Sequence, residues 1–193
     1  MIKKQVFYDT DCLSSFLDIN DWSILKSLFD EIIIPLAVYN EFFALGTPPH
    51  IIDNLNILVD EKFVKVQELN PFSDDIDNYL DICNEYELNN QIPIGEGEAQ
   101  AMALVISNNG ILASNNFRDI KYFVDKYKMP LLTSAYMISI AFDKGFISEE
   151  KTEDIWNQMW NKGVLLPESN FREYYDGKYK SDQKDFGKRV NFK

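Results

Sequence analysis

Short apolar runs alternate with helix-spaced segments along most of this chain, and that alternation restricts the fold more than any other feature. Ile2 to Tyr8 is rich in β-prone residues and stops at Asp9-Thr10-Asp11, a helix start. Helix-spaced apolar residues follow over Cys12–Leu17 and Trp22–Phe29. Glu31 to Ile34 reads as a second strand. Pro35 then opens a helix through Val38, Phe42 and Phe43, and Gly46-Thr47-Pro48-Pro49 ends it. A helix around Ile51 to Leu58, a strand at Phe63 to Val66 and a helix after Pro71 to Asp75 come next. An alanine-rich helix runs from Glu96 to about Ser107, and Asn108-Asn109-Gly110 turns into a strand at Ile111 to Ala113. Then follow a helix from Asn116 to Tyr127, a strand at Pro130 to Leu132, a helix from Ser134 to Lys144, and a last helix capped by Ser148.

Strands alternating with helices predict an α/β domain, a central parallel sheet with helices on both faces. Sites in such sheets lie beyond the carboxyl ends of the strands. Asp9 falls at the end of the first strand, Glu41 on the helix after the second, Glu96 and Glu98 at the start of the alanine-rich helix. Ser114-Asn115-Asn116 falls just past the strand that ends at Ala113, with Asp119 one helical turn on. Four separate stretches thus send an acid or amide to one edge.

Each residue also has a plain structural use. Asp9 and Asp11 suit helix N-caps, Glu96 complements a helix dipole, Glu41 suits a solvated helix face, and Asn115 and Asn116 suit a turn. Cys12 and Cys83 read as core residues, and His50, after two prolines and without a second histidine, as a surface loop residue.

The overall charge is at first sight wrong for a nucleic-acid binder, since affinity for phosphates comes from Lys and Arg. The net charge is −12, but residues 1–171 hold 12 Lys+Arg against 27 Asp+Glu, and residues 172–193 hold 7 against 4. The body is acidic and the end basic, with Tyr174, Tyr175, Tyr179, Phe186 and Phe192 among the basic residues. Such a segment suits unpaired RNA, and equally a strap on the acidic body or a frayed terminus. Two cysteines exclude a disulfide framework or a Cys-rich zinc site and fit a cytoplasmic protein. No apolar run reaches about 18 residues, which predicts no membrane span, and no basic stretch with an apolar run opens the chain, which predicts no signal peptide.

Phe7-Tyr8-Asp9-Thr10-Asp11-Cys12-Leu13 resembles the opening strand of PIN domains, and Pro35 to Glu41 their second motif. Gly95-Glu96-Gly97-Glu98-Ala99 resembles the Gly-Glu-x-Glu-Ala helix of one PIN branch and is the most specific part. Ile111 to Asn116 sits where the family has a strand ending in Thr-x-Asp or Thr-Asp-Asp, and Lys128 to Thr133 is similar to its last strand. The resemblance covers roughly residues 2–160 and implies a three-layer PIN-like domain over 1–162, with 163–193 as a basic, aromatic tail.

The resemblance further implies a Mg²⁺- or Mn²⁺-dependent endoribonuclease, of the kind found as toxins in toxin–antitoxin pairs. RNA is then the substrate, and an antitoxin protein and a second copy of the chain are the partners to look for. By it Asp9, Glu41 and Glu98 are catalytic metal ligands, with Glu96 a neighbour or alternative. Thr10, Ser114, Asn115, Arg118 and Thr133 would line the substrate. Asn115 and Asn116 depart from the pattern, since an amide oxygen can coordinate Mg²⁺ but brings no charge and no base. Asp119, on the same helix face as Asn116, would reach back to make up the loss, adding catalytic and ligand roles at Asp119 and a ligand role at Asn116. The departure also leaves room for a scaffold that has lost catalysis and binds RNA or protein. An unrelated α/β protein with coincidental acids is the third alternative.

Overall fold

A computed structural model describes residues 4–180 of the chain. Five strands, β1 (Val6–Tyr8), β2 (Ile32–Pro35), β3 (Val64–Gln67), β4 (Ile111–Ala113) and β5 (Leu131–Leu132), pair in parallel in the order β3-β2-β1-β4-β5. Helices α1 (Thr10–Asp18) and α2 (Ser23–Leu28) connect β1 to β2. The β2–β3 crossover contains α3 (Leu36–Glu41) and α4 (Pro49–Asp60). The return to the other side of β1 passes through α5 (Asp75–Asn90) and α6 (Glu96–Asn108). Helix α7 (Phe117–Tyr127) joins β4 to β5, and α8 (Ser134–Asp143), α9 (Glu149–Asn161) and α10 (Phe171–Tyr174) follow, the last running into a π-helical turn over Tyr175–Tyr179.

Successive side chains of a strand point to opposite faces, so a strand buried on both sides needs apolar residues at every position. All three residues of β1 are buried, as are those of β2, β4 and β5. Val6, Tyr8, Ile32, Ile34, Ile111, Ala113 and Leu132 join one core with α1, α2, α4, α8 and α9. Phe7, Ile33, Leu112 and Leu131 join the other with α5, α6 and α7. The expected three-layer α/β architecture is the one found.

Local differences have local causes. Pro35 ends β2 and precedes α3 instead of lying inside the helix, because residues 32–35 are held in register with Val64–Gln67. Helix α3 stops at Glu41, short of Phe43, and Gly46 then takes a positive φ of 101° in the turn. His50 lies in the first turn of α4 and not in a loop, and its Nε2 is 2.8 Å from Asp18 Oδ1. In the turn before β4, Asn109 adopts the left-handed conformation, whereas Gly110 is required by space. A Cβ there would stand 2.7 Å from Cε2 of the Phe7 ring.

The segment after α9 packs on the body as far as Tyr179. Phe171, Tyr174 and Tyr179 are buried, with the Phe171 and Tyr174 rings each 5.5 Å from Trp156 and the Tyr179 ring 5.2 Å from Tyr136. Trp156 Nε1 donates to the Glu168 carbonyl at 3.1 Å. Arg172 pairs with Glu149, Lys178 with Glu168 and Lys180 with Asp176, so these cations meet carboxylates of the body and of the segment itself. Phe186, Phe192 and the basic residues beyond Lys180 lie outside the described residues.

A docked segment makes a stability prediction. Phe171→Ala should cost about 3 kcal/mol in urea denaturation, the usual cost of emptying a buried aromatic site. A loss below about 0.5 kcal/mol, the range of surface substitutions, would mean that this segment does not pack as described.

Candidate metal and substrate site

The chain lays β1, β2 and β3 in one direction and then returns to lay β4 and β5 on the other side of β1, so strand order reverses between β1 and β4. Crevices form at such reversals, outside the carboxyl ends. Tyr8 pairs with Ala113, and the Asp9 N–H donates to the Ala113 carbonyl at 3.0 Å, which sets Asp9 beside Ser114 at the mouth of the crevice.

Asp9 is 1% exposed. Its Oδ1 accepts the Cys12 N–H at 2.8 Å and so caps α1, while Asp11 lies in the helix's first turn and is not the cap. Oδ2 is buried and makes no hydrogen bond with any described residue. Burial pushes the Asp9 carboxyl up to about 7. The nearby Ser114 hydroxyl and the Cys12 N–H partly offset that, and the charges of Asp11 and Glu98 add to it.

Glu41 projects from the end of α3 toward the start of α6. Its Oε1 accepts the Gly97 N–H at 2.9 Å, and Oε2 accepts the Thr10 hydroxyl. Gly97 is glycine because Glu41 comes so close: a Cβ would stand 2.7 Å from Oε1 and 2.9 Å from Val38 Cγ2. Glu98, one residue on, accepts from Asn116 Nδ2. Burial raises the Glu98 pKa, the Asn116 bond lowers it, and the charges of Asp119, Asp11 and Glu41 raise it again. Glu96 faces solvent and takes its bond from Gln100 Nε2 at 3.1 Å, which separates it from this group.

Asn116 donates through the same nitrogen to Asp119 Oδ2 at 2.7 Å, and its amide therefore bridges two carboxylates. Asp119 also accepts from the Tyr86 hydroxyl at 2.6 Å and from Arg118 Nε and Nη2 at 3.1 and 3.2 Å. Arg118 is the leading cause that holds Asp119 at about 2, with Tyr86 and Asn116 helping against burial. Asn115 serves the frame: its Oδ1 accepts the Ser134 N–H and its Nδ2 donates to Ser134 Oγ, both at 2.9 Å. Ser134 Oγ lies 2.8 Å from Ser15 Oγ, tying β4, α8 and α1 together. Ser114 Oγ accepts the Asn116 N–H, and Thr133 Oγ1 caps α8 by accepting the Tyr136 N–H.

Asp9, Glu41, Glu98, Asn116 and Asp119 therefore share one neighbourhood, linked directly or through mutual charge. Asp11, read from the sequence only as a cap, belongs with them through its coupling to Asp9, Glu41 and Glu98. Its place two residues after Asp9, on the first turn of a helix leaving a strand end, was the available signal. Tyr86 is a supporting residue that carried no sequence signal, and Gly97 stood at the variable position of the Gly-Glu-x-Glu-Ala stretch with no role assigned to it. Among the described residues, no three His, Cys, Asp or Glu side chains already stand grouped as a metal-holding set. The thiol of Cys12 is buried 3.6 Å from Ser134 Oγ and takes no part.

The Asp9 environment fixes the sign of a pH effect. Its folded pKa lies above its ordinary 3.8, so between those two values the folded state holds the extra proton and stability falls as pH rises. In chelator, Asp9→Asn should remove that penalty and stabilise the protein by about 1–3 kcal/mol at pH 8, after allowing for an unpaired amide hydrogen. The gain should shrink toward zero near pH 4. Denaturant titration at both pH values checks this, and a destabilised variant at pH 8 would contradict it.

A family model described as a PIN domain matches residues 5–176. A comparison with curated proteins finds no match. Among solved structures, that of VapBC-1 from nontypeable Haemophilus influenzae, at 2.2 Å resolution, is similar at 16% identity over 67% of this chain and 97% of that chain, with a TM-score of 0.47. The matched family region begins just before β1, takes in every strand and every residue of the site, and ends within the docked C-terminal segment; the chain belongs to the PIN-domain family.

Proposed function

We propose that the protein is a Mg²⁺- or Mn²⁺-dependent ribonuclease that cuts RNA internally, acting as the toxin of a toxin–antitoxin pair. The observation that carries this reading is Asp9, 1% exposed, whose Oδ2 makes no hydrogen bond with any described residue and lies beside other carboxylates. An unpartnered buried carboxylate oxygen is costly, and a divalent cation relieves both the missing partner and the repulsion. Asp9, Glu41 and Glu98 would hold the ion. Asn116 would contribute an amide oxygen if its side chain turns over, and Asp119 would stand in reserve behind it. Held by these residues, a divalent ion would supply an ionised water and charge stabilisation for the departing oxygen.

The chain's own groups set the geometry for that chemistry. Thr10 and the Gly97 N–H aim Glu41 inward, and Asn116 holds Glu98. Of the five residues expected to meet substrate, Asn115 spends both ends of its amide on Ser134. Thr10, Ser114 and Thr133 each make one hydrogen bond within the frame and keep further capacity, and Arg118 is the most exposed. The toxin assignment, and with it the antitoxin partner and a homodimer, rest on the PIN-domain resemblance taken as a whole. No helix among the described residues is long and apolar enough to cross a membrane, and the two cysteines, both free, suit a cytoplasmic setting.

One observation favours a second reading, a scaffold with weakened catalysis. The Asn116 amide donates to both Glu98 and Asp119, easing part of the repulsion that would otherwise recruit an ion. Calorimetric titration with Mn²⁺ should show saturable binding in the wild type and at least tenfold weaker binding in a folded Asp9→Asn variant. Equal affinity in the two proteins removes the metal site at Asp9. RNA should be cut in Mn²⁺ and left intact in chelator. Asn116→Asp should keep or raise the affinity for Mn²⁺, because it adds a charge. A wild type that cuts nothing beside an Asn116→Asp variant that cuts would decide for the scaffold.

A further inference from the structure

A cleft of about 970 Å³ runs from the candidate site along α7, walled on its far side by the segment over Leu165–Lys178. Asp11 and Asn116 mark its catalytic end. Beyond Asp11, its charged lining is Arg118, Lys128 and Lys178 against Asp125 alone, in a chain of net charge −12. We propose that this cleft is the track for a single-stranded polynucleotide, RNA under the ribonuclease reading, held by its phosphates on Arg118 and Lys128 and by a base on Phe117.

Each contact has a structural basis. Two bonds from Arg118 to Asp119 fix its guanidinium, while the side chain stays 86% exposed and Nη1 keeps no partner among the described residues. An Arg held this way loses little rotamer freedom on meeting a phosphate. Asp119, itself anchored by Tyr86, is in this view the positioning residue for Arg118. Lys128 ends α7 in the left-handed conformation at φ 51°, exposed and without an ion pair among the described residues. At 1.5 Å per residue the two cations stand about 15 Å apart along the helix. That spans roughly four nucleotides at the ~3.4 Å stacked spacing. Phe117 is 53% exposed at the site end of the same helix, where an aromatic face can stack on an unpaired base. Lys178 is paired with Glu168, which meets most of its charge, so it is not counted among the contacts.

The reading depends on the ribonuclease assignment for its choice of RNA, so the test reads binding apart from cleavage. A fluorescein-labelled single-stranded RNA is titrated into the full chain in chelator, over a series of salt concentrations, with single-stranded DNA of the same sequence in a second arm. Lys128→Asn, which suits the left-handed backbone, and Arg118→Gln should each weaken RNA binding about 3–10-fold and lower the salt slope by about 0.7. Phe117→Ala should weaken it at least about fivefold with the slope unchanged. Lys65→Gln, on the outer strand β3, should stay within about twofold of wild type. Wild type that binds no single strand at low salt, or cleft variants that bind as wild type does, overturn the proposal. So does saturation by polyglutamate instead of RNA, which would mark a site for an acidic protein segment. RNA bound in the cleft but never cut in Mn²⁺ sinks the nuclease reading and leaves the cleft standing. Cutting with unchanged binding in all three cleft variants does the reverse.

Discussion

Strand β1 lies between β2 and β4, and its three residues are buried on both faces of the sheet. Phe7 belongs to one core while Val6 and Tyr8 belong to the other, so a single short strand joins the two layers. Register is fixed at this strand, because a slip by one residue would exchange the two sets of side chains. Its pairing with β4 also sets the reversal of strand order, and the chain leaves β1 at that reversal through Asp9. The carboxylate is 1% exposed there.

A buried carboxylate must be neutral, paired or bound to a cation. Asp9 is half satisfied among the described residues, capping α1 with one oxygen and leaving the other without a bond. Around it the structure supplies donors to nearly every other acid: Thr10 and Gly97 to Glu41, Asn116 to Glu98, and Asn116, Tyr86 and Arg118 to Asp119. Substituting an amide for a carboxylate at position 116 changes how the cluster holds together. A third acid there would add repulsion, whereas the amide donates to both neighbours and links them.

The same contrast separates the two ends of the chain. The aromatic and basic residues after position 163 have the composition of a nucleic-acid contact, yet Phe171, Tyr174 and Tyr179 are core residues and Arg172 pairs with Glu149. Aromatic rings serve a core and a base stack equally well, and composition does not say which. What this segment does provide is a wall. It closes one side of the cleft whose other side is α7, and so shapes the candidate substrate path.

The order of elements, the parallel sheet and the placement of Asp9, Glu41, Glu98 and the 114–116 turn at one edge were all legible in the sequence, because period-2 and period-3.6 patterns are local and sites follow strand ends. Even Gly97 stood within the recognised Gly95 to Ala99 stretch, though its reason did not. Only the tertiary structure decided that Asp9 rather than Asp11 is the cap, that Glu96 stands apart from Glu98, and that Asp119 is saturated by Tyr86, Arg118 and Asn116. Those outcomes turn on distances between α1, α3, α5, α6 and α7, which are far apart along the chain. No local pattern records which oxygen of a carboxylate will find a donor and which will be left without one.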